Sequence, residues 1–208
     1  MQTTFYKLTE FFIIFILIPI SFALDYPIWI KMAIGVSGFI YILFVLLRIE
    51  KNSFKIASNL NWKAFFKCVT IQLIGIAILT TIYMWFVDQP NLFVVVLNKP
   101  LKWLVFLFIY SFFSVYPQEL IYRTFFFQRY RDLFKSEVLF IIVNAILFSL
   151  AHMFFRNGLV MVLTFIGGIL FALTFKKTKS TLMVSIEHAI YGSWLFTVGM
   201  GSMLGFPS

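Results

Sequence analysis

The sequence predicts an all-α fold: a polytopic membrane helical bundle of about seven transmembrane helices. Three observations predict it. The chain is 62% hydrophobic and only 12% charged, whereas a soluble domain averages about 25% charged residues. Its apolar residues gather in long runs, and roughly 20 mostly apolar residues are needed for a helix to cross a bilayer. The lysines and arginines fall in the short breaks between those runs.

Taken in order, the expected spans are Phe5–Leu24, Trp29–Leu47, Phe65–Val87, Leu101–Gln128, Val138–Phe155, Leu159–Phe175 and Thr181–Leu204. The first is retained as a helix, because no cleavage site follows its apolar run. Asp25 and Pro27 mark the turn into the second. Leu92–Leu97 is too short to cross and is read as interfacial or re-entrant. No polar stretch is long enough for a soluble domain, so residues 1–208 form one integral membrane domain. Gly35, Gly38, Gly167, Gly168, Gly199 and Gly201 are expected where helices approach closely.

Charge orients the chain. Arg48, Lys51, Lys55 and Lys63 lie between spans two and three. Arg129, Arg131 and Lys135 lie between four and five, and Lys176, Lys177 and Lys179 between six and seven. With seven spans these loops share one side, the cytoplasmic one, and the N-terminus lies there too. The net charge of +9 therefore reflects topology and attraction to lipid headgroups, and nucleic acid is excluded as a partner. Cys68 is alone, so neither a disulfide framework nor a cysteine metal site exists.

Polar ionisable groups inside membrane helices are costly and mark function by default. Glu119 lies in the fourth span, His152 in the fifth and His188 in the seventh. Residues 119 and 152 are equidistant from the turn at Lys135–Ser136, so the two side chains are expected to face one another within the bilayer. At 1.5 Å per residue, Glu119 lies ~15 Å below Arg129, His188 ~14 Å below Lys179 and His152 ~22 Å below Glu137. Gln118 and Tyr122 share one helical stripe, Asn144, Phe148 and His152 a second, and Ser185, His188 and Gly192 a third. Pro117 removes a backbone hydrogen bond and bends the fourth helix beside Gln118. Glu119 and Arg123 are four residues apart and can neutralise each other. Tyr122, Phe148, Asn144 and Tyr191 are the expected substrate-binding residues.

These residues resemble a known pattern. Gln118-Glu119-Leu120-Ile121-Tyr122-Arg123, Phe148-Ser149-Leu150-Ala151-His152 and His188-Ala189-Ile190-Tyr191-Gly192 look like the three motifs of the CPBP family of intramembrane proteases, which includes the CAAX prenyl endopeptidases and bacterial Abi proteins. Those motifs are E-E-x-x-x-R, F-x-x-x-H and H-x-x-x-N. The resemblance covers a protease-like core of about residues 101–204. It implies endopeptidase activity on a membrane-associated peptide or membrane-protein substrate. The shortness of the chain points to a bacterial plasma membrane as the expected setting. The implied catalytic set is Glu119, His152, His188, Gln118 and Arg123. Two positions depart from the pattern. Gln118 replaces the glutamate taken as the water-activating base, and Gly192 replaces the asparagine. A glutamine cannot accept a proton as a carboxylate does, so Glu119 is expected to activate water, without a cofactor. Glu119, His152 and His188 would also make a His₂Glu zinc set with one open position. Two other functions fit the same polar groups. One is a non-catalytic relative that binds a peptide or partner protein. The other is a small transporter or proton relay, although the sequence shows no inverted repeat of the kind many transporters carry.

Overall fold

The computed structural model describes residues 3–53 and 60–204, and all regular structure among them is helical. Six helices are long and apolar enough to cross a membrane: α1 (Thr4–Phe22), α2 (Ile28–Ile49), α3 (Trp62–Val87), α4 (Pro100–Leu133), α5 (Glu137–Phe155) and α6 (Gly158–Thr178). The seventh expected span begins where the sequence placed it but is shorter. Helix α7 (Thr181–Thr197) has 17 residues, or ~26 Å of rise. Gly199 follows with φ 107°, and a Cβ there would overlap the Asn91 carbonyl. Only glycine fits this left-handed, close-packed position, and a 3₁₀ turn, Met200–Leu204, replaces the rest of the expected helix. The segment around Leu92–Leu97 forms a short helix, Val94–Asn98.

Local chemistry sets the helix starts. The Thr3 hydroxyl accepts from the Tyr6 amide, the Asn61 side-chain oxygen from Ala64, the Ser136 hydroxyl from Leu139 and the Ser180 hydroxyl from Met183. Each satisfies one of the amides that a first helical turn leaves without a partner. Pro27 precedes α2 and Pro100 opens α4, where a missing N–H costs nothing. Lys176 and Lys177 close α6, complementing its negative end.

The chain divides into two compact units. The first comprises Met1–Lys55 and Gln118–Lys177. Phe15 is its centre. The ring lies edge-on to Tyr122, Phe126 and Tyr130, with centroids 5.4, 5.2 and 5.8 Å away. Below this aromatic cluster, Arg129 is buried, although the sequence assigned it to a basic loop. Its guanidinium meets Glu10 at 2.6 Å and Glu50 at 2.8 Å, and the Tyr130 hydroxyl donates to Glu10 at 3.1 Å. One cation thus ties α1 and the end of α2 to α4. Lys55 of the preceding basic loop lies outside the described residues. Elsewhere, a Cβ on Gly168 would stand 2.9 Å from the Ala145 Cα, so α5 and α6 touch through backbone as the small residues suggested. Gly38 instead faces open space and, with Gly35, helps to hollow out a cavity.

The second unit comprises Ile56–Pro117 and Thr178–Ser208. Within it, α7 is held by indole and phenol hydrogen bonds. Trp194 donates to Thr80, Trp103 to Thr197 (both 2.9 Å) and Tyr191 to Gln72 at 2.6 Å. Many large apolar side chains, among them Phe5, Leu79, Phe86 and Phe113, point outward in both units. An apolar exterior around polar internal contacts is the arrangement a lipid solvent requires.

Candidate active site

The first motif occupies an irregular part of α4. Helical residues 116–119 are flanked by two π-helical segments, Tyr110–Val115 and Leu120–Phe125. Pro117 accounts for the first, since its ring clashes with the carbonyl four residues earlier and it donates no amide. A wider i→i+5 turn relieves the clash, and such turns recur at functional sites.

Glu119 and Arg123 are both fully buried, and Arg123 Nε lies 3.3 Å from Glu119 Oε2. The remaining guanidinium nitrogens reach across the unit. Nη1 donates to Asn144 Oδ1 at 2.7 Å and Nη2 to the Gly168 carbonyl at 3.3 Å. Asn144 in turn donates to the Tyr122 carbonyl at 2.7 Å, and Arg123 lies over the Phe148 ring at 4.9 Å. A buried charge needs such partners to offset lost hydration. The structure thus places Asn144 and Phe148, both expected at the substrate, around Arg123.

His152 caps α5's regular part, Glu137–Ala151, and does not lie within it. Leaving helical geometry turns the ring back along the helix. Nδ1 comes 2.7 Å from the Phe148 carbonyl, and a carbonyl can only accept, so Nδ1 donates this bond. His152 lines a cavity of about 290 Å³ with Gln118, Tyr122, Ile14, Gly35 and Phe154. The volume approaches that of small-ligand pockets, roughly 300–1,000 Å³ and mostly apolar. The first two motifs therefore share a cavity, and at its wall stand the amide Gln118 and the imidazole.

The third motif lies in the second unit. His188 is almost fully buried on α7, and its neighbour Glu187 is fully so. Tyr191 donates to Gln72. Tyr110 stands edge-on to the His188 ring, with centroids 6.1 Å apart and planes at 83°. The Tyr110 hydroxyl lies against the Gly192 backbone, where any Cβ would overlap it. Sequence reasoning did not single out Tyr110. Its one signal was the glycine four residues after His188, a gap on a polar stripe. Within either unit, among the described residues, no three His, Cys, Asp or Glu side chains are grouped to hold a metal ion.

The family model described as type II CAAX prenyl endopeptidase Rce1-like matches residues 100–205, just over half of the chain. The chain belongs to this family. No curated protein and no solved structure matches it. The matched region runs from the start of α4 through α7 and contains all three motifs. With six apolar helices, this member of a protease family is an integral membrane protein.

Proposed function

We propose that this protein is an intramembrane endopeptidase that hydrolyses a peptide bond in a membrane-associated peptide or protein. The observation that carries the reading is the cavity bounded by Gln118, Tyr122 and His152, in a chain whose family cleaves peptide bonds. The Glu119 carboxylate takes a proton from water as the water oxygen attacks the peptide carbonyl. One imidazole, His152 or His188, stabilises the developing oxyanion, and the proton passes to the leaving amine as the C–N bond breaks. Arg123, 3.3 Å from Glu119, fixes the direction of the carboxylate. Gln118 and Tyr122 bind the substrate backbone or the attacking water at the cavity wall. No metal takes part. The proposed setting is a bacterial plasma membrane, with the N-terminus and the basic loops cytoplasmic.

One observation favours a second reading. The cavity wall carries the amide Gln118, and the nearby acid is engaged by Arg123. A site of that kind can hold a peptide without cutting it. Purified protein offered a fluorogenic membrane peptide separates the two. Cleavage that disappears in both His152→Ala and His188→Ala supports proteolysis. Binding that depends on the histidines, with no turnover in the wild type, supports the non-catalytic relative.

A further inference from the structure

The cavity beside Gln118 and His152 has two unlike sides. Its polar residues, Gln118, Tyr122 and His152, all come from α4 and α5, whereas α1 and α2 contribute only apolar residues and glycine. Ligand pockets are built this way, with a mostly apolar wall and a few polar groups that fix orientation. At about 290 Å³ the cavity is larger than the dry apolar cavity of about 150 Å³ that accepts benzene. The family match begins at residue 100, so the wall made by α1 and α2 lies outside it. Gly35 and Gly38 stand one turn apart within α2, where glycine costs helix stability relative to alanine. Close packing does not explain them. A Cβ on Gly35 would stand 3.9 Å from the tip of the Phe22 ring, an ordinary contact, and one on Gly38 would meet nothing within 4 Å. Phe22 is itself part of the cavity wall, so Gly35 turns its missing side chain towards the cavity. Gly38, three residues on, shares that face. Alanine fits at both positions, and what it would take away is space.

We propose that this cavity is a specificity pocket. It takes one bulky apolar side chain, of about the size of phenylalanine, from the peptide being cut, while Gln118 and His152 face that residue's backbone. Gly35 and Gly38 are the specificity-determining residues, because they set how large the side chain can be. The proposal rests on the endopeptidase reading. The occupant follows from the two sides of the cavity. An apolar side chain suits the wall of α1 and α2. A peptide unit carries a donor and an acceptor, and the glutamine amide offers both in return. A lipid acyl chain would match the apolar wall but make no use of the amide and the imidazole.

The test is steady-state cleavage, by the full-length protein, of fluorogenic membrane peptides that differ at one residue. Alanine and phenylalanine are compared at each position within about three residues of the cut, the reach of roughly 10 Å of extended chain. The readout is the ratio of kcat/KM for the phenylalanine peptide to that for the alanine peptide. Such a ratio measures discrimination alone and does not depend on how many enzyme molecules are folded. In wild type it is expected to reach about 100 at one position, within the range an apolar pocket achieves. Gly38→Leu fills the space and is expected to bring that ratio below about 5. Gly38→Ala, the milder change, is expected to lower it about threefold. A wild-type ratio near one at every position overturns the proposal and leaves the endopeptidase reading standing, as does a ratio that neither variant moves. A phospholipid that co-purifies with wild type and is lost in Gly38→Leu, with the ratio unmoved, gives the cavity to lipid and overturns it too. A wild type that cleaves none of the peptides overturns both.

Discussion

At the residue scale, Arg123 organises the first unit's polar interior. It meets Glu119, Asn144, the Gly168 carbonyl and the Phe148 face. Truncating one member of a buried pair strands the other, at a cost of about 3–5 kcal/mol. Arg123→Ala should therefore lower the thermal midpoint sharply and abolish activity, whereas Asn144→Ala should cost less, about 1–3 kcal/mol for the partners it leaves unmet. Thermal unfolding in detergent checks both. Equal, small shifts would show that the network is not what holds these helices. The sequence revealed the Glu119–Arg123 pairing through its i, i+4 spacing. It did not reveal Asn144 as the guanidinium's second partner, because that contact depends on how α5 is rotated against α4. The same rotation, invisible in a one-dimensional pattern, puts Phe148 over the guanidinium.

At the element scale, hydropathy and capping residues disclosed the helices, and six expected spans correspond to helices within a few residues. Three features were not legible. The regular part of α5 ends at Ala151, so His152 leaves α-helical geometry although apolar residues continue to Phe155. A run of phenylalanines reads the same in an α-helix and in a 3₁₀ turn. Arg129 is buried by Glu10 and Glu50, which come from sequence positions far from it. The π turns around Pro117 arise from backbone crowding that composition does not encode. Helix ends are testable individually. Ser136→Ala removes the cap of α5 and should cost about 1 kcal/mol, read as a lower thermal midpoint. Gly168→Val would force α5 and α6 apart at the 2.9 Å approach to Ala145 and should cost about 1–3 kcal/mol or more. A Gly168→Val protein as stable as wild type would mean that the two helices can separate without penalty.

At the scale of the whole molecule, an apolar exterior and internally paired charges follow from one constraint, that lipid offers no hydrogen bonds. Lys7 reaches the Arg129 carbonyl, Lys31 the Phe22 carbonyl and Arg156 the Ala23 carbonyl. Cations near the ends of the spans thus take up the carbonyls left by ending helices. The proposed orientation predicts that a reporter fused to the N-terminus is active only on the cytoplasmic side. A periplasmic signal would reverse the assignment of the basic loops. The proposed metal-free chemistry predicts that protein freed of divalent ions by a chelator keeps its full cleavage rate. Activity lost with bound zinc and restored by it would replace that chemistry.

The central claim is that Glu119 activates water to cut a peptide bond. Cleavage of a defined membrane peptide in ¹⁸O-labelled water, by wild type and Glu119→Gln side by side, tests it most directly. The account predicts one ¹⁸O in the new carboxylate with wild type and a rate lower by about 10²–10⁴-fold with Glu119→Gln. Equal rates for the two proteins, or a peptide left intact by wild type, would contradict it.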